Sequence, residues 1–244
     1  MYSSIKRLYV EEELKKNKEI ELFDQQHHYI KNVIRLKKGD SVFFFNGKEG
    51  EWLAKVIQIN KKITKLLLEK KISEQKNTYD LWIVFSLIKN LRLNILIQKS
   101  TELGVSRFIP VTSERSNIKN YNIINLRKNA IEAAEQCGRL DIPAIDDLDK
   151  ISNVIKTISK NRAIIFCDTH TNTSKNIVKI IREIKDKFSK WTLIIGPEGG
   201  FSDKERIKLL KLKNIYQVSL GKRVLRSDTA AIAAIFGLQQ IIDN

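Results

Sequence analysis

The spacing of apolar and polar positions changes character near residue 80. Ser41–Asn46 carries the run Val-Phe-Phe-Phe, and Gly47–Gly50 is rich in turn formers. Trp52–Ile59 then alternates Trp52, Ala54 and Val56 with polar neighbours, and Ile63–Glu69 repeats the strand pattern. Strands joined by short turns predict a small antiparallel barrel or sheet. Ahead of them, Tyr29, Ile30, Val33 and Ile34 recur at helical spacing within Asp24–Leu36. The polar stretch Lys70–Asp80 reads as a linker. The chain therefore divides into 1–72, a linker at 73–80, and 81–244.

Beyond the linker, Leu81–Ile88 is continuously apolar, as in a strand buried on both faces. Arg92–Leu103 and Leu126–Cys137 have helical spacing, with Gly138 placed to end the second helix. Phe108–Val111, Ala163–Cys167, Trp191–Ile195 and Ile215–Leu220 read as strands. Lys175–Phe188, the stretch from Ser202 to Leu212, and Asp228–Ile241 read as helices. Ser202 and Glu205 have the spacing of a capping box. Strands alternating with helices predict an α/β fold with a mostly parallel sheet.

Composition narrows the class. The chain has 244 residues, enough to bury a core without disulfide staples, and its apolar content of 42% argues against disorder. No apolar run reaches the roughly 18–20 residues of a membrane helix, and the N-terminal segment lacks the apolar core of a secretory signal. A soluble cytoplasmic protein with no membrane partner is the expectation. The net charge is +16, from 44 basic and 28 acidic residues. It is spread along the chain, which excludes a basic arm on a neutral body. Two readings stay open: background lysine usage, since the chain is also rich in Ile and Asn, or a polyanionic partner such as nucleic acid.

Four segments carry candidate chemistry. Ile194–Glu205 reads as strand, glycine-rich turn and capped helix, and offers close backbone approach and free N–H groups. Its spacing is neither a P-loop nor a dinucleotide fingerprint, and Glu198 would repel a phosphate. A neutral or cationic ligand suits it better, and an unliganded turn is equally compatible. Leu220–Ala231 combines a strand end, the cations Lys222, Arg223 and Arg226, and a helix start rich in small residues. Arg92, Lys99 and Glu102 lie along one helical stripe, as do Glu132, Glu135 and Arg139. Such stripes are usually solvated faces. His27, His28, His170, Cys137 and Cys167 show no ligand spacing beyond an isolated Cys167-x-x-His170, so no metal site is expected. No Gly-x-Ser-x-Gly nucleophile elbow is present.

Taken jointly and in order, these segments resemble the RsmE-type ribosomal RNA small-subunit methyltransferases of the SPOUT superfamily. The matching residues are Arg7-Leu8-Tyr9, His28 with Val33–Leu36 and Gly39-Asp40, Gln98–Val105, Glu114-Arg115-Ser116, Ala133–Arg139 with Pro143, Gly196–Phe201, Leu220-Gly221, Arg223–Arg226 and Thr229-Ala230. They span nearly the whole chain. Asp228 stands where the family usually has Glu.

The resemblance implies an N-terminal PUA-like β-barrel that binds RNA and a C-terminal SPOUT α/β domain with a deep trefoil knot, working as a homodimer. It implies S-adenosylmethionine-dependent methylation of uridine N3 in 16S rRNA, within the assembled small ribosomal subunit. The cofactor would lie among Cys167, Asp168 and Thr169, then Ile195, Gly196, Pro197, Gly199 and Gly200, then Ser219, Leu220, Gly221, Val224 and Leu225. Arg226 is the candidate for stabilising charge on the uracil, with Glu198 and Asp228 as candidate bases. RNA contacts would come from Arg7, His28, Arg35, Arg92, Lys99, Arg115 and Arg139. Two rivals remain at this point: a non-catalytic RNA-binding protein on the same scaffold, and a related methyltransferase acting on another nucleoside.

Overall fold

The computed structural model describes residues 5–76, 78–116, 118, 121–158, 160–168 and 176–242. The chain forms two compact units. One is Met1–Asn77 with Ala134–Ile142, and the other is Thr78–Ala133 with Pro143–Asn244.

The first unit is a five-stranded sheet built from β1 (Arg7–Tyr9), β2 (Glu19–Leu22), β3 (Ser41–Phe45), β4 (Glu51–Ile59) and β5 (Thr64–Ser73). The strand order is β1-β3-β4-β5-β2, with β1 parallel to β3 and the other pairs antiparallel. The alternating residues foreseen in β4, Trp52, Ala54 and Val56, are buried with Leu8, Val42, Phe44, Leu66 and Leu68. The predicted helical segment is α1 (Asp24–His28) running directly into a π-helical turn, Tyr29–Val33. It lowers Ile30 into the same core. His27 is buried with its Nδ1 2.8 Å from Thr64 Oγ1, a satisfied core histidine, while His28 is exposed.

The expected linker is shorter than its polarity suggested, because β5 continues to Ser73 and the next strand begins at Asp80. Residues 134–142 also group with the first unit, although the sequence division sets them in the second. The reason is packing: Ala134 and Leu140 bury against Phe45, with Tyr9 and Ile142 beside them. Glu135 Oε1 also accepts the Tyr9 backbone N–H at 2.9 Å.

The second unit is an all-parallel sheet of seven strands. They are β6 (Asp80–Ser86), β7 (Arg107–Thr112), β8 (Ala144–Ile145), β9 (Asp149–Lys150), β10 (Ala163–Cys167), β11 (Lys190–Ile195) and β12 (Ile215–Val218). The order is β12-β10-β11-β6-β7-β8, with β9 also on β7. The helices are α2 (Asn90–Glu102), α3 (Ile123–Cys137), α4 (Ile151–Thr157), α5 (Ile177–Ile184), α6 (Asp203–Leu210) and α7 (Ser227–Ile242). Successive strand side chains point to opposite faces. Val84, Ile109, Ile164, Phe166 and Ile194 pack with α4 and α6, while α7 packs with α2, α5 and β11. Central strands covered on both faces explain the unbroken apolar runs. Gly138 takes φ +85 just past α3, as the helix end predicted.

One buried cation locks the entry edge of this sheet. Arg162, 1% exposed, donates to Asp80 Oδ1 at 2.7 Å and Thr192 Oγ1 at 2.9 Å, and stacks 3.7 Å above the Trp82 ring. Burial holds its pKa below the ordinary arginine value, against the opposing pull of Asp80. Among the described residues no helix is long and apolar enough to cross a membrane.

Candidate functional site

The carboxyl ends of parallel strands are where open α/β sheets bind ligands. Three of the predicted segments leave the sheet at that edge: β10 at Cys167, β11 at Ile195 and β12 at Val218.

The first and third converge on one cavity of about 280 Å³. Seven of the predicted cofactor residues line it: Cys167, Asp168, Ser219, Leu220, Gly221, Val224 and Leu225. Lys222, Arg223, Val218 and Ala230 also line it. Thr169 lies outside the described residues. The Asp168 carboxylate is already engaged, with Oδ2 accepting from Arg206 Nε at 2.7 Å and from Gln217 Nε2 at 2.9 Å. These two partners were not foreseen, and no local pattern marks them. Desolvation, aided by Asp168, pushes the Cys167 thiol up to about 12, so it is a neutral thiol at physiological pH.

The glycine-rich turn after β11 does not line this cavity. Ile195, Gly196, Pro197, Gly199 and Gly200 instead form a tethered structure beside it. Gly196 O accepts the Ser227 hydroxyl at 2.7 Å, which ties the turn to the start of α7 next to Arg226. Gly200 N donates to Pro197 O at 2.9 Å, and Gly200 adopts φ +68, a left-handed backbone that glycine accepts without a steric penalty. The predicted capping box is present. Glu205 N donates to Ser202 Oγ at 3.2 Å, and Ser202 N donates to Glu205 Oε2 at 2.9 Å. Glu205 Oε1 also accepts the Glu114 N–H at 2.9 Å, so one buried carboxylate joins the turn to the segment after β7.

Two arginines hold the same turn from outside. Arg92, in the first turn of α2, donates through Nη1 to Glu198 Oε1 at 3.0 Å. Arg115, from the segment after β7, donates through Nη1 to the Gly199 carbonyl at 3.1 Å. Glu198 is therefore half-exposed and paired. Asp228 accepts the neighbouring Thr229 N–H at 3.0 Å, and Arg226 is exposed at the end of its loop.

The other predicted RNA contacts divide by burial. Arg7 pairs with Glu51 at 2.7 Å, donates to Arg139 O at 3.3 Å and lies 5.1 Å from the Phe45 ring centre. The Arg139 side chain is 7% exposed and makes a bidentate pair with Asp141, at 3.0 and 2.9 Å. Both are thus ion-paired within the first unit. Arg35 and His28 are exposed, and Lys99 pairs with Glu102 at 2.8 Å. A larger cavity of about 500 Å³, between β7, α4 and α6, contains Glu205 but none of the predicted cofactor residues.

Comparison with known proteins identifies both domains. A model described as an RNA methyltransferase domain matches residues 74–239, and one described as an RNA methyltransferase PUA domain matches residues 24–68. The ribosomal RNA small subunit methyltransferase E of Rickettsia conorii is 34% identical, covering 94% of this chain and 93% of that protein. The protein of the same name from Buchnera aphidicola subsp. Schizaphis graminum is also 34% identical, over 98% and 97% of the two chains. A methyltransferase from Legionella pneumophila, Lpg2936, solved with bound S-adenosylmethionine, superposes with a TM-score of 0.86 at 29% identity over 97% of both chains. The chain thus combines a PUA domain with a methyltransferase domain.

Proposed function

The chain belongs to the RNA methyltransferase family, and we propose that it methylates N3 of a uridine in 16S rRNA, using S-adenosylmethionine. The observation that carries the reading is the cavity on which the β10 and β12 ends converge, next to the tethered turn after β11. Its lining suits this cofactor. Val218, Leu220 and Leu225 offer apolar surface for a flat ring, the Ser219–Leu225 backbone offers donors and acceptors, and Lys222 and Arg223 offer charge for a carboxylate. When bound, the cofactor supplies an electrophilic methyl group on a sulfonium.

The chain's own residues supply the rest. The uridine N3–H is weakly acidic, so its proton must leave and the resulting charge must be stabilised. Arg226, adjacent to the cavity loop and exposed, stabilises the charge on the uracil. Either Glu198 or Asp228 accepts the proton. Holding reactants in line removes roughly 7–11 kcal/mol of the barrier in well-oriented systems. A bond network like that around Gly196–Ser202 provides such rigidity.

RNA is held by His28 and Arg35 of the PUA domain and by Arg92, Lys99 and Arg115 of the methyltransferase domain. The target uridine must be unstacked to present N3. We further assign a barrel-like closure of the PUA sheet, a homodimer and a deep knot. The dimer reading is supported by exposed apolar side chains on two packed helices: Leu91 and Ile95, four apart on α2, and Phe236 on α7. The knot reading is supported by β11 lying between β6 and β10, with α7 packed against β11, α2 and α5. The assembled small subunit in the cytoplasm is the setting of the reaction.

Incubating the protein with methyl-labelled S-adenosylmethionine and small subunits lacking the modification should label 16S rRNA. No transfer at any salt concentration would overturn the reading.

A further inference from the structure

Resting on that reading, we infer that Arg92 and Arg115 couple RNA docking to cofactor binding, each guanidinium bridging the glycine-rich turn and an RNA phosphate. Both reach the turn from other elements, Arg92 from α2 and Arg115 from the segment after β7, and they grip adjacent residues, Glu198 and Gly199. Each of these contacts uses one Nη1 atom, whereas a guanidinium carries five N–H donors in a planar fork. The Arg92 side chain is 28% exposed and Arg115 is exposed, so each has one side on the turn and one towards solvent. In a chain of net charge +16 whose proposed substrate is a polyanion, phosphate is the ligand that the outer donors select.

The coupling follows from side-chain entropy. An arginine that is partly exposed must give up rotamer freedom to hold the turn. A phosphate on the outer donors restricts the same torsions, so the inner bond then forms at less cost. The turn adjoins the cofactor cavity through the Ser227–Gly196 bond, so firmer tethering leaves less disorder for the cofactor to remove. RNA should therefore tighten cofactor binding, and the cofactor should tighten RNA binding by the same factor. Arg92 and Arg115 are positioning residues in this scheme, acting through the turn.

The test is equilibrium dialysis of labelled S-adenosylhomocysteine, which cannot turn over, with and without saturating small subunits that lack the modification. The wild-type protein should bind it at least about fivefold more tightly with subunits present, the lower end of typical coupling. The double variant Arg92→Ala, Arg115→Ala should lower that ratio to about one, and each single variant should give an intermediate ratio. Arg35→Ala weakens RNA binding from the other unit and should keep the wild-type ratio once subunits are saturating. A wild-type ratio near one, or an unchanged ratio in the double variant, overturns the coupling alone. Absence of any S-adenosylhomocysteine binding overturns the methyltransferase reading and the coupling with it.

Discussion

Two loops at the carboxyl edge of the parallel sheet are built in opposite ways. Residues 196–202 are fastened from four elements: Ser227 holds Gly196, Arg92 holds Glu198, Arg115 holds Gly199, and Glu205 caps Ser202. Residues 219–226 are held by a local turn, in which Gly221 N donates to Ser219 Oγ at 3.2 Å, and by the Ile177 N–H donated to Ser219 O at 3.3 Å, and they leave Lys222, Arg223, Val224 and Arg226 exposed. The difference separates two tasks that a single ligand site must perform. A fastened loop fixes geometry before the ligand arrives, and a loop with few distant ties can close over the ligand at the expense of ordering entropy.

Variants in each loop should break this contrast, and the largest effect belongs to the open one. Arg226→Ala should lower single-turnover methyl transfer about 10²–10³-fold, as loss of a charge-stabilising donor does elsewhere, with the melting temperature unchanged. A matching loss of cofactor affinity would mean that Arg226 holds the cofactor instead. Next comes Glu205→Ala, in the helix that caps the fastened loop, which strips partners from two backbone N–H groups, those of Ser202 and Glu114. It should cost about 1–3 kcal/mol in denaturant unfolding, chiefly from the buried Ser202 donor left unsatisfied. An unchanged unfolding midpoint would show that the carboxylate is not what fastens the turn. Ser202→Ala removes only the other half of the box and should cost about 1 kcal/mol by the same measurement.

The smallest effect is chemical. With its thiol pushed up to about 12, Cys167 should resist alkylation at pH 8 while exposed Cys137 reacts, as peptide mass mapping can check. The sign for stability follows. Cys167 keeps its proton in the folded state at pH values where the unfolded thiol, near 9, has lost it. Its contribution is complete below pH 9 and is lost as pH rises towards 12. Preferential labelling of Cys167 would contradict the raised thiol pKa on which this rests.

What was legible in the sequence was local. The capping box lies within four residues, the Gly138 helix end follows from one position, and the apolar strands of the second unit announce themselves by composition. The unread parts depend on distant partners. Arg7 and Arg139 have the residue type that binds phosphate, yet Glu51 and Asp141 hold them within the first unit. Asp168 meets Arg206 and Gln217, which stand 38 and 49 residues further along. Arg162 is defined by a buried pocket that no spacing reveals. The short helix α4 and the strands β1 and β2 are stabilised by packing and strand pairing, and their brief patterns do not stand out.

The central claim is tested most directly by locating the added methyl group. Small-subunit RNA from cells lacking the protein, incubated with the purified chain and S-adenosylmethionine, should yield N3-methyluridine on digestion and mass spectrometry, at one position. A methyl group on another nucleoside or on a ribose hydroxyl, or no methyl group at all, would contradict the account.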